Sequence, residues 1–69
     1  MKRGLGRFNP PVQVGETYEV TIEAIGSRGD GITKIQGFVI FVPGTKVGEH
    51  LKIKIDKVLG RFAVASVEE

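Results

Sequence analysis

Cysteine is absent from this chain, which removes both a disulfide framework and any thiolate metal site. His50 is the single histidine, so imidazole clusters that hold zinc or copper are excluded as well. No hydroxyl nucleophile stands at a spacing matched to a base, and the glycine-rich stretches lack the G-x-x-x-x-G-K-[ST] pattern of a phosphate cradle. A 7.5 kDa chain leaves little room for a pocket that could shift the pKa of a catalytic group. No enzymatic activity, cofactor or small-molecule substrate is expected. Long hydrophobic runs are also missing. The longest falls far short of the ~20 residues of a membrane-spanning helix, and "MKRGLGRFNPP" lacks the apolar stretch of a secretory signal. These absences lead us to expect a soluble, cytoplasmic monomer without membrane contact.

What is present is charge placed unevenly. The net charge is +2, yet Lys2, Arg3 and Arg7 face no acid in the first ten residues. From Pro11 onward seven Lys or Arg meet eight Asp or Glu, so the body is close to neutral and can carry only a local cationic patch. Residues 1–11 read as a flexible basic tail and residues 12–69 as one domain.

The body reads as all-β. "TYEVTIEAI" from Thr17 alternates, with Tyr18, Val20, Ile22 and Ala24 on one face. "GSRGDG" breaks it with three glycines. "ITKI" follows, "QG" at 36 and 37 is a two-residue turn, and "FVIFV" is a third strand. After the loop "PGTKVGE", "HLKIKI" alternates with Leu51, Ile53 and Ile55 inward, and a bulge at "DKV" turns Val58 in while Lys57 stays out. "FAVASV" closes the chain, its Ala63 and Ala65 suited to the inside of a narrow barrel. So few residues cannot make two sheets, and an open sheet would leave edges and a bare face. A small five-stranded antiparallel barrel, oligonucleotide-binding-fold-like or SH3-like, solves both problems.

In such a barrel the first strand runs beside the fourth, which sets Glu19 and Glu23 near Lys52 and Lys54 and matches those lysines across the strand pair. Arg28, Lys34, Lys46 and Arg61 have few acids nearby in sequence. Parity alone leaves open whether Phe38, Ile40 and Val42 or Val39 and Phe41 face inward. In the last strand, Ala63, Ala65 and Val67 inside puts Phe62 outside, beside Arg61. An exposed ring next to a cation suits a nucleic acid, since the ring stacks on a base while the cation takes the phosphate. A second possibility of another class is a protein-interaction adaptor of SH3-like type using the same apolar surface. The tripeptide Arg28-Gly29-Asp30, of the kind cell-surface receptors read, matches by chance too easily to carry a role.

The block "GDGITKIQGFVIFVPG" from Gly29 to Gly44, followed by "VGE" at 47–49 and the ending "GRFAVASV", resembles the TRAM domain, a small barrel appended to certain tRNA-modifying enzymes and also found alone in short archaeal proteins. The resemblance implies a five-stranded barrel that binds RNA, tRNA chiefly, with little sequence preference. For a stand-alone member it implies an ATP-independent RNA chaperone of cold-shock type. It assigns Lys34 to the family's basic position, Phe38 and Phe41 to aromatic positions, and Arg61 with Phe62 to a basic-aromatic turn. Val64 departs from the aromatic of many relatives, which implies a smaller stacking surface. The candidate RNA-binding residues are therefore Lys2, Arg3, Arg7, Arg28, Lys34, Phe38, Phe41, Lys46, Arg61 and Phe62.

Overall fold

The computed structural model describes residues 11–68. The expected positions Lys2, Arg3 and Arg7 lie outside the described residues. Six strands form one sheet: β1 (Thr17–Thr21), β2 (Ala24–Ile25), β3 (Gly31–Ile35), β4 (Phe38–Val42), β5 (His50–Leu59) and β6 (Phe62–Val67), in the order β1-β5-β6-β4-β3-β2. The two ends of that order, β1 and β2, are halves of one chain segment. The sheet thus curls back on itself as a half-barrel, its two end strands joined through Ile22 and Glu23. Every pairing is antiparallel except β4 with β6.

The alternating stretch from Thr17 does not run through as one strand, because it changes partner. β1 pairs with β5, whereas β2 pairs with β3. The handover occurs at Ile22 and Glu23. Ile22 N–H donates to Glu49 O at 2.9 Å, and Glu23 N–H donates to Ile32 O at 2.8 Å. Ile22 O also accepts from Gly48 N–H at 2.8 Å, and the Thr33 hydroxyl donates to Thr21 O at 3.0 Å. Ile22 remains inside, but Ala24, expected on the same face, is exposed beyond the break.

The three-glycine loop gives a tight return, and Gln36 and Gly37 complete the β3–β4 hairpin with φ of 52° and 82°. Two successive positive values mark a type I′ turn, whose twist matches that of the flanking strands. Gln36 is the only non-glycine residue with positive φ among the described residues. The register of β5 on β6 shifts between Ile55 and Lys57, the bulge expected at "DKV". Before it Ile53 and Ile55 point inward; after it Val58 turns in and Lys57 stays exposed.

The core consists of inward residues from β1, β4, β5 and β6, joined by Ile22 at the strand break, by partly buried Ile35 of β3 and by Val12 from the segment before β1; both residues of β2 are exposed. Ile22, Ile40, Val42, Ile53, Ile55 and Val12 are fully buried, and Ala63 and Ala65 fill the narrow side at 0% exposure. The phase of "FVIFV" is now fixed: Phe38, Ile40 and Val42 face in, Val39 and Phe41 face out. Phe38 is 6% exposed, so its expected place among the RNA-contacting rings is corrected to a place in the core. The cause is parity, since the outer face belongs to its neighbours at odd offset. At Gly31 the backbone passes close to buried Thr45; a Cβ there would collide with Thr45 Oγ1, which donates to Val42 O at 2.8 Å.

Candidate nucleic-acid interface

The outer wall of β3, β4, β6 and the last part of β5 follows from strand register. Lys34 stands opposite Val39, Val39 beside Phe62, and Phe62 opposite Leu59. One step along, Ala24, Ile32, Phe41, Val64 and Lys57 form the next row. Each row is apolar in the middle with a lysine at one margin. Phe62 retains 37% exposure and Leu59 41%, large values for apolar side chains in a chain this small.

Phe41 and Phe62 touch diagonally across the parallel β4–β6 pair. Their centroids lie 5.4 Å apart with an interplanar angle of 82°, an edge-to-face arrangement. The wall therefore offers two ring planes at nearly right angles. A cleft of about 230 Å³ opens beside Phe41, lined also by Gly26, Ser27, Arg28 and Asp30 of the β2–β3 loop.

The cations were expected to sort into matched and unmatched groups. Lys52 does stand opposite Glu19 in the β1–β5 register. Even so, the Glu19 carboxylate lies 3.7 Å from His50 Nε2, and among the described residues no lysine or arginine lies within ion-pair distance of a carboxylate. Glu23 is beyond the strand break and has no place in that register. Lys52 and Lys54 are thus less neutralised than the sequence suggested. Arg28, Lys34, Lys57 and Arg61 are exposed and, among the described residues, have no carboxylate within ion-pair distance. Lys34 and Lys57 belong to the wall itself, while Arg28 and Arg61 sit in the loops preceding β3 and β6.

Of the expected site residues, Arg28, Lys34, Phe41, Arg61 and Phe62 come together on or around this wall. Lys46 does not share those strands; it lies in the 43–49 loop, whose backbone docks on Ile22 and whose Glu49 carboxylate accepts from Lys46 N–H at 2.8 Å. Lys57, Val39, Leu59 and the Asp30 cleft were not among the expected positions. Lys57 could have been found by carrying the bulge through to the strand-five register. The cleft has no signature in the sequence beyond a turn.

The chain is thus a small β-barrel of the oligonucleotide-binding type, with an aromatic and cationic wall on the strands and loops that such barrels use for ligands. Residues 11–67 match the TRAM domain, and the chain belongs to that family. An uncharacterized protein of Methanocaldococcus jannaschii is 54% identical over 59 residues, covering 86% of this chain and 77% of its own length. Translation initiation factor 2 subunit beta of Methanothrix thermoacetophila is 48% identical over 84% of this chain. Ribosomal RNA large subunit methyltransferase E of the same organism is 51% identical over 90%. The matches span only 28% and 24% of those two longer proteins. The solution structure of a conserved protein of Methanococcus maripaludis superposes with a TM-score of 0.85 at 43% identity, covering 99% of this chain and 94% of that one. Among the described residues no helix is long and apolar enough to cross a membrane.

Proposed function

We propose that this chain is an RNA-binding module that holds single-stranded or partly melted RNA on the β3–β4–β6 wall. The observation that carries the proposal is the outward Phe41–Phe62 pair, Phe62 exposed and Phe41 half-buried, bordered by cations that no carboxylate among the described residues pairs with. Phe41 and Phe62 stack on bases. Lys34, Lys57, Arg28 and Arg61 take phosphates, with Lys2, Arg3, Arg7 and Lys46 adding charge along the strand.

The angle between the rings shapes the bound RNA. Two bases stacked on planes 82° apart cannot remain stacked on each other, so the wall favours an unstacked strand over an A-form helix. Preferential binding to open strands shifts the duplex equilibrium by mass action, and unwinding then needs no ATP. On this basis the module acts as a cytoplasmic RNA chaperone of cold-shock type, with tRNA among its ligands, and not as a catalyst.

Titrating a labelled single-stranded RNA at several salt concentrations tests this. With about four to six phosphate contacts, log K falls against log salt with a slope of roughly −3 to −4. A flat response refutes phosphate-driven binding. The exposed Leu59 and Phe62 would also serve a protein-interaction adaptor of SH3-like type. Removing residues 1–10 separates the two: an RNA binder loses affinity with three positive charges, and an adaptor does not.

A further inference from the structure

We propose that the cleft beside Phe41 is a nucleobase pocket that selects guanine, with Asp30 accepting from the base edge. This rests on the RNA-binding function proposed above and adds to it one position of base selectivity.

The β2–β3 loop is held at both ends. Gly26 N–H donates to Asp30 O at 2.8 Å, and Gly29 N–H donates to Gly26 O at 2.9 Å. A loop pinned in this way presents its side chains without a further cost of ordering its backbone. Asp30 is half-buried and lines the cleft with Ser27, Arg28 and Phe41. Among the described residues, neither the Asp30 carboxylate nor the Arg28 guanidinium has a hydrogen bond or ion pair.

A carboxylate on a phosphate-binding wall is a liability unless it contacts something that donates. Ionised Asp accepts only, with two oxygens side by side. Guanine presents two adjacent donors, N1–H and the N2 amino group, which match those oxygens. Uracil places its one donor between two carbonyls, and cytosine and adenine each set one amino donor next to a ring-nitrogen acceptor. All three leave one carboxylate oxygen facing an acceptor. Beyond N1–H, guanine continues with O6 and N7, the acceptors that an arginine fork recognises, and Arg28 is two residues from Asp30 in the same loop. Phe41 supplies the stacking surface that any base can use. Ring, donor fork and acceptor pair thus converge on one cleft.

The test uses uridine heptamers with a single central guanosine, inosine, adenosine or cytidine, together with unsubstituted U7, measured by fluorescence anisotropy on the full chain and on Asp30→Asn. The guanosine heptamer is expected to bind the unaltered chain about tenfold tighter than U7 or the adenosine and cytidine heptamers, with inosine, which lacks the N2 amino group, well below guanosine. Asp30→Asn is expected to bring all heptamers within about twofold of one another without weakening U7, because the amide no longer offers two acceptors. If U7 binds and the guanosine heptamer binds no better, the pocket proposal is overturned and RNA binding stands. If Asp30→Asn tightens every heptamer equally, Asp30 only repels phosphate and the proposal is likewise overturned. Should no heptamer bind at low salt, both fail. The inosine comparison needs no variant, so a misfolded Asp30→Asn cannot shelter the idea.

Discussion

Replacing Phe62 separates its two jobs, because the ring is partly packing and partly surface. It hides just under two thirds of its area against the wall and keeps 37% open. Truncating a fully buried phenylalanine costs about 3–5 kcal/mol, so Phe62→Ala should cost the fold roughly 2 kcal/mol. A domain of this size has roughly 3–9 kcal/mol to lose, and the variant stays folded over most of that range. Phe62→Leu keeps most of the buried volume and should cost less than about 1.5 kcal/mol. Stacking behaves differently, since leucine has no π-face. A base on an aromatic ring is worth about 1–3 kcal/mol, and a ring only 37% exposed falls in the lower half of that range. Both variants should therefore weaken a U-rich single strand by roughly 5- to 30-fold in anisotropy titrations at low salt. The far-ultraviolet spectrum and melting temperature of Phe62→Leu should stay close to those of the unaltered chain. Affinities within twofold for both folded variants would refute the stacking role and leave Phe62 a packing residue.

Three further outcomes test the fold. Gly31→Ala should destabilise by about 2–4 kcal/mol in urea melts, since its methyl group meets Thr45 Oγ1 and disturbs a buried hydrogen bond; combining it with Thr45→Ala should cost clearly less than the sum of the two single changes. Gln36→Asn should raise the melting temperature by a few degrees, because asparagine tolerates the positive φ of 52° better than glutamine does. Tyr18 donates to Glu16 Oε1 at 2.6 Å, and that hydrogen bond, with some burial, holds its phenol above the ordinary value of 10.0. A raised pKa stabilises the fold while the phenol is protonated, so this contribution is present below pH 10.0 and lost as pH climbs through the raised value; Tyr18→Phe should flatten the alkaline limb of a stability–pH profile.

The barrel was legible because alternation, glycine turns and small inward alanines all require the same closed sheet. Strand phase was legible where polar residues marked the outer face, as in "HLKIKI", and illegible in "FVIFV", where both faces are apolar. Phe38 entered the expected site through the family resemblance, and parity could not correct it: Phe41 reaches the wall and Phe38 does not. The break at Ile22 and Glu23 was hidden for a related reason. The sequence alternates straight through the change of partner, whereas the burial does not, and only the pairing shows where it stops. Expected pairing of Lys52 and Lys54 with acids failed for two reasons: Lys54 stands opposite Thr17 because Glu23 lies beyond the strand break, and the Glu19 carboxylate opposite Lys52 lies nearest His50. The Asp30 cleft lay beyond pattern reasoning, since it forms where a loop folds against a strand one hairpin turn further along the chain.

Amide chemical-shift mapping during titration with a short U-rich strand tests the location of the interface most directly. The account predicts the largest changes on β3, β4 and β6, at Lys34, Val39, Phe41, Phe62 and Val64, with Thr17, Glu19 and Lys52 on the β1–β5 face unmoved. Shifts centred on that β1–β5 face, with the ring-bearing wall silent, would contradict it.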